Sequence, residues 1–214
     1  MIDVCDIHVM KPLLESYGFH FSKAKGQNFL VASWVPASIA EEAGVDGDCG
    51  VLEIGPGIGV LTKELSAVCG RVAAVELDRR LPDVLAETLA DCPNVQVVPG
   101  DVLQMDLQAL FADRFAGCNR LQVCANLPYY ITTPVLMRLL ESELPIERLV
   151  VMVQLEAAKR LCAPLGSRDC GAVSAAVEYY TQAEILFEVG RESFFPSPNV
   201  DSAVIALTRR QQPP

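Results

Sequence analysis

Val51-Leu52-Glu53-Ile54-Gly55-Pro56-Gly57-Ile58-Gly59 decides the fold of this 214-residue chain. Residues 51–54 form a short apolar run of the kind a buried strand needs, with Glu53 inside it. Gly55, Gly57 and Gly59 then turn the chain without side chains in the way. The apolar period that follows, Ile58, Leu61, Leu65 and Val68, predicts a helix. A strand, a glycine turn and a helix together build an edge where a nucleotide's backbone-facing groups approach closely. The dinucleotide fingerprint G-x-G-x-x-G would place its third glycine at position 60, which is Val60. The spacing here is E-x-G-x-G-x-G. From this stretch alone an ordinary glycine-rich turn stays open until the rest of the sheet is read.

Reading outward, further apolar runs predict strands at 72–76, 95–98, 121–125, 149–153, 183–189 and 203–208, with helices between most of them. The alternation gives an α/β doubly wound sheet. Glu76 closes its strand 21 residues after Gly55, where a carboxylate can accept both ribose hydroxyls of an adenosine. Asp101 follows the next strand. It either accepts the exocyclic amine of an adenine or closes an Asx turn or helix cap. The strand at 121–125 leads into Asn126-Leu127-Pro128-Tyr129-Tyr130. Two carbonyls, a fixed φ and a ring in that order suit a planar amine: the carbonyls accept its N–H groups and the ring covers its face. A plain proline turn with a core tyrosine is the competing reading. Thr133 reads as an N-cap with Pro134 at the first helical position. Helices are also expected over 8–17, up to Gly44, and over 82–90, 154–162 and 172–180. Residues 163–170 and 193–202 read as loops. Periodicity alone makes Ser22 to Leu30, with Gln27, Asn28 and Leu30, a solvated basic loop; the sharper reading lays these three across the ligand.

Composition bounds the rest. The length suits one domain with a sizeable core, and 51% hydrophobic with 21% charged residues suits a globular protein. No apolar run is long enough for a membrane span, and the acidic start Met1-Ile2-Asp3-Val4-Cys5-Asp6 lacks a secretory pattern. A cytoplasmic monomer is expected. Eight cysteines without a C-x-x-C pair, and two histidines, point to reduced thiols and no metal. The net charge of -10 argues against a nucleic-acid partner unless acidic residues are segregated.

With these stretches assembled, the chain resembles the rRNA adenine N6-methyltransferases, most closely the KsgA/RsmA-type small-subunit rRNA dimethyladenosine transferases. Four stretches carry the resemblance: Gly26 to Leu30; Glu53 to Gly59, which looks like motif I of the class I S-adenosylmethionine (SAM) methyltransferases; Asn126 to Pro134; and Phe194-Phe195-Pro196-Ser197-Pro198-Asn199-Val200-Asp201-Ser202-Ala203-Val204. The resemblance implies a Rossmann-like class I SAM-dependent methyltransferase fold, a seven-stranded sheet with its last strand antiparallel. It implies SAM as methyl donor, no metal, and dimethylation of two adjacent adenosines in a hairpin loop near the 3′ end of small-subunit rRNA in an immature small ribosomal subunit. By motif matching, Gln27, Asn28, Leu30, Gly55, Gly57, Glu76, Leu77, Asp101, Val102 and Asn126 hold the cofactor. Asn126, Leu127, Pro128, Tyr129 and Phe194 face the target base. Residues 1–214 read as the catalytic domain, with segment 1–48 over the cofactor and without the family's small helical C-terminal domain. Ala32 stands where the family carries Asp, and Leu155 where it carries a basic residue. Three other functions compete. One is an Erm-type large-subunit rRNA adenine methyltransferase. Another is a non-catalytic rRNA-binding assembly factor on this fold. The third, a NAD dehydrogenase, is opposed by Val60.

Overall fold

The computed structural model describes residues 3–19 and 28–211. Its elements in chain order are α1 (Ile7–Ser16), β1 (Phe29–Leu30), α2 (Trp34–Ala43), β2 (Cys49–Ile54), α3 (Val60–Val68), β3 (Arg71–Glu76), α4 (Leu81–Thr88), β4 (Val95–Pro99), α5 (Leu107–Arg114), β5 (Arg120–Asn126), α6 (Thr132–Leu140), β6 (Ile146–Gln154), α7 (Leu155–Leu161), α8 (Ala172–Tyr180), β7 (Thr181–Val189), β8 (Phe194–Phe195) and β9 (Ser202–Arg209).

Seven strands form one sheet in the order β4-β3-β2-β5-β6-β9-β7. β2 pairs in parallel with β3 and β5, and β6 continues the parallel set. The last strand, β9, runs antiparallel to both neighbours. The expected sheet is therefore present with its one antiparallel strand. Apolar residues cover both faces of the central strands, as a sheet flanked by helices requires. One buried cluster lies under the helices before β4 and contains Leu14, Ile39, Leu65 and Leu85. The other lies under the later helices and contains Leu110, Leu136, Leu161 and Val177.

The chain leaves β2 toward β3 and β4 on one side and returns to β5 and β6 on the other. This reversal between β2 and β5 is the switch point of the sheet, where the connecting loops diverge and leave a crevice. Ile54 sits opposite Ala125 in register, so Gly55 and Asn126 emerge side by side at its floor. Gly59 caps α3 at φ 88. A Cβ there would lie 2.9 Å from Leu89 Cδ2, the movable end of a side chain. The left-handed backbone is thus the larger obstacle. Gly59→Ala is expected to lower unfolding stability by roughly 1–2 kcal/mol, read as the shift in urea midpoint.

Three details differ from the sequence-based expectations. Thr133 is not an N-cap: α6 begins at Thr132 with Ile131 before it. A 3-10 turn over Tyr129–Ile131 runs straight into the helix, so no extended residue is left at 133, and Pro134 sits within the first turn, where its missing N–H is harmless. Helix α5 was not expected; Asp106 caps it by accepting from the Ala109 N–H (3.0 Å). The loops around 28–30 and 193–202 contain β1 and β8, which pair antiparallel as Phe29 with Phe195 and Leu30 with Phe194.

Candidate active site

A cleft of about 600 Å³ opens at the switch point, within the size range of small-molecule sites. Its walls come from the loops after β2, β3, β4 and β5 and from the β1–β8 pair.

The glycine turn after β2 supplies one wall. Gly55 donates its N–H to the Val75 carbonyl (2.9 Å), which ties the turn to β3. The Gly57 N–H donates to Glu76 Oε2 (3.1 Å), and the Asp78 N–H donates to Glu76 Oε1 (2.7 Å). Both oxygens of Glu76 are thus oriented by backbone before any ligand arrives. A carboxylate has about four lone-pair sites, so each oxygen can still accept another donor. Burial raises the Glu76 pKa, and the two backbone N–H groups oppose the rise.

Asp101 follows β4. Its Oδ1 accepts from the Leu103 N–H (2.9 Å), so the Asx turn is formed. The same residue lines the cleft, so the ligand reading survives beside it. Leu77 and Val102 line the cleft too. Val102 is buried, while Leu77 is 58% exposed, an apolar surface facing open space.

The loop after β5 supplies the opposite wall. Leu127 donates its N–H to the Met152 carbonyl (3.1 Å), which fixes the peptide plane at the strand end. The half-buried Asn126 side chain has no hydrogen-bond partner among the described residues. Pro128 leads into the 3-10 turn that carries Tyr129, and the Tyr129 hydroxyl is hydrogen-bonded to the Ser202 hydroxyl (3.0 Å). Phe194 enters the cleft from β8, opposite Leu30 of β1.

Of the residues singled out in the sequence, Asn28, Leu30, Gly55, Gly57, Glu76, Leu77, Asp101, Val102, Asn126, Leu127, Pro128, Tyr129 and Phe194 all line this one cleft. Gln27 lies outside the described residues. Glu53 lines the cleft too and was not among the expected site residues. Its signal was a lone charge in an apolar strand. Its side chain is buried, and Oε2 has no hydrogen-bond partner among the described residues. Burial pushes its carboxyl up to about 8, with the Glu76 charge acting in the same direction. Among the described residues no cluster of three metal-ligating side chains occurs, and no helix is long and apolar enough to cross a membrane.

The site therefore joins a pre-oriented glutamate carboxyl, a second buried carboxyl near it, backbone without Cβ atoms, an amide with free hydrogen-bonding capacity and two aromatic rings. Such a set can hold an adenosine-bearing ligand on one side and a planar base on the other.

A family model for ribosomal RNA adenine dimethylase matches residues 18–214. The ribosomal RNA small subunit methyltransferase A of Geobacillus thermodenitrificans (strain NG80-2) is 50% identical over 204 residues, covering 95% of this chain and 70% of that protein. The crystal structure of the 23S rRNA methyltransferase ErmE superposes with a TM-score of 0.73 at 34% identity, covering 87% of this chain and 71% of that one. A dimethyladenosine transferase from Plasmodium falciparum superposes with a TM-score of 0.76 at 25% identity, covering 86% and 64%.

Proposed function

This chain belongs to the ribosomal RNA adenine dimethylase family, and on that premise we propose the reaction and the roles of its residues. The chain is a small-subunit rRNA adenine methyltransferase. It transfers methyl groups from SAM to the N6 amines of two adjacent adenosines in a hairpin loop near the 3′ end of that rRNA. The observation that carries this reading is the convergence in one cleft of the Asn126–Tyr129 loop and Phe194 with Gly55, Glu76 and Asp101. The 50% identity to the small-subunit relative, against 34% to the large-subunit enzyme ErmE, favours the small-subunit target.

The residues present suit SAM. Glu76 is held by two backbone N–H groups with lone pairs left for ribose hydroxyls. Asp101 would accept the adenine amine, and Leu77 and Val102 would supply apolar contact to that ring. Gly55 and Gly57 would let the amino-acid end approach the backbone, and Asn28 and Leu30 would hold it from the same cleft. When bound, SAM supplies an electrophilic methyl group on a sulfonium.

The target amine is a weak nucleophile because its lone pair is delocalised into the ring. Its proton becomes acidic only as the new N–C bond forms, so no tuned base is needed beforehand. The protein's task is positioning and charge stabilisation. In the first transfer the Asn126 side-chain oxygen and the Leu127 carbonyl accept the two N6 hydrogens and so turn the lone pair toward the methyl group; in the second transfer the one remaining N–H is held by one of these acceptors. Tyr129 stacks on the flipped base and Phe194 covers the other face. Flipping costs a few kcal/mol in a duplex and less in a loop, which suits a loop target.

The test is transfer of labelled methyl from SAM to small ribosomal subunits lacking the adenine methylations, with SAM binding followed in parallel. Incorporation as dimethyladenosine is expected. Tyr129→Ala should slow incorporation roughly tenfold to a hundredfold, from ~1–3 kcal/mol of stacking, and leave SAM binding nearly unchanged. Asp101→Ala should do the reverse, weakening SAM binding by about tenfold or more through a lost charged hydrogen bond. Equal loss of both properties in either variant would overturn the assignment of that residue.

A further inference from the structure

We propose that Ser202 is a positioning residue for the reaction, its hydroxyl fixing the Tyr129 ring at the angle at which it receives the target adenine. This rests on the reading that Tyr129 stacks on that base.

Ser202 opens β9 and is fully buried. The five residues after it, Ala203 to Leu207, are buried and apolar, as a strand covered on both faces should be. A hydroxyl at the head of such a run requires a partner, and the partner is the Tyr129 hydroxyl at 3.0 Å. The two residues are 73 positions apart in sequence, so the contact is made by the fold and not by local turn chemistry. The anchor is rigid: Ser202 is in register with Gln154 of β6 on one side and Val189 of β7 on the other. Tyr129 is half-buried in a single 3-10 turn, and the bond to Ser202 is its side chain's one hydrogen bond among the described residues. Its neighbour Tyr130 shows the untethered alternative: it is 71% exposed and has no hydrogen-bond partner among the described residues. Of two adjacent tyrosines at the mouth of the cleft, the fold pins the one that faces the base.

A pinned ring has lost its rotamer freedom before the RNA arrives. An unpinned ring loses it on stacking, and that ordering then opposes occupancy of the flipped state. Ser202→Ala removes the anchor and keeps the phenol. Tyr129→Phe removes the phenol hydroxyl and keeps the ring. Both break the same contact from opposite ends.

The experiment measures methyl transfer to undermethylated small ribosomal subunits by Ser202→Ala, Tyr129→Phe, the double variant and Tyr129→Ala, with SAM affinity read for each. The two single variants should each slow transfer at saturating RNA by about two- to tenfold, the range for immobilising one side chain on binding. The double variant should be no slower than the slower single, and SAM affinity should stay within about twofold. Tyr129→Ala should be slower than all three. Parental transfer by Ser202→Ala alongside a slow Tyr129→Ala overturns the tether and leaves the stacking role standing. A slow Tyr129→Phe with a parental Ser202→Ala also overturns it, since the phenol then acts on the RNA itself. Multiplying defects in the double variant, or SAM affinity falling in step with rate, would make Ser202 a merely structural residue. Parental transfer by Tyr129→Ala removes the stacking role and the tether with it.

Discussion

Asn126→Ala is expected to slow methyl transfer by roughly 10²–10³-fold, the loss seen when one pre-oriented polar partner of a reacting group is removed, with SAM affinity falling by less than about tenfold. Asn126 ends β5 directly beside the glycine turn; a Cβ built on Gly55 would lie 4.0 Å from its main-chain oxygen. Its side chain is half-buried and has no partner among the described residues, so its oxygen is available to the substrate amine. Alanine removes that acceptor. The Leu127 carbonyl, on the residue whose own N–H donates to the Met152 carbonyl (3.1 Å), then acts alone, and one N–H of the amine has no acceptor to set its orientation. The tyrosine ring remains, so on the proposed stacking role RNA affinity should be retained. The defect should therefore appear in single-turnover rate at saturating RNA and SAM. A variant within tenfold of the parent in that assay would mean the backbone carbonyl suffices and Asn126 is not the second acceptor.

Much of this site was legible in the sequence, for a definite reason. Parallel central strands need apolar runs on both faces, and the residues just past them face the crevice. That logic located Gly55, Glu76, Asp101 and Asn126 from strand ends alone. It could not find the β1–β8 pair. Each strand is two residues long, and Phe29 and Phe195 come together across most of the chain, so neither leaves a periodic signal. Pairing them places Leu30 and Phe194 at the same wall. The Ser202–Tyr129 contact escaped for the same reason: a serine at a strand start carries no local mark. Helix α5 escaped because it buries little, with Leu107 and Leu110 as its buried residues. The total charge of -10 does not decide for or against a nucleic-acid partner, since a sum does not say where a field is directed.

Glu53 leads to the second large effect, one of stability. Its carboxyl sits in β2, buried, with Oε2 unpartnered, and its pKa is about 8 against an ordinary 4.5. Below pH 4.5 the side chain is neutral both folded and unfolded. As pH rises above 4.5 the unfolded chain releases its proton while the fold retains it, so the unfolded state gains. Stability is therefore lost through that window, by about 1.4 kcal/mol per pH unit. The loss levels off above about 8, where the folded carboxyl ionises too. Glu53→Gln keeps the shape and removes the proton linkage. Because the sequence pI is ≈ 4.7, urea unfolding is best compared from pH 5.5 upward, away from precipitation. Between pH 5.5 and 8 the unfolding free energy of Glu53→Gln should gain roughly 3 kcal/mol on that of the parent. Any fixed offset from burying an amide is the same at every pH and drops out of that difference. Parallel pH profiles for the two proteins would mean that Glu53 is already ionised in the fold. In that case the charge inside β2 must be matched by something stronger than the Thr62 hydroxyl beside it, and the strand would be an ordinary carboxylate site from neutral pH upward. The expected divergence instead makes Glu53 a neutral, hydrogen-bond-capable acid at the floor of the cleft across the neutral range, next to a Glu76 whose oxygens are tied to Gly57 and Asp78. Of the two carboxyls in contact with one cleft, Glu76 has backbone N–H donors opposing the rise that burial causes, and Glu53 has none.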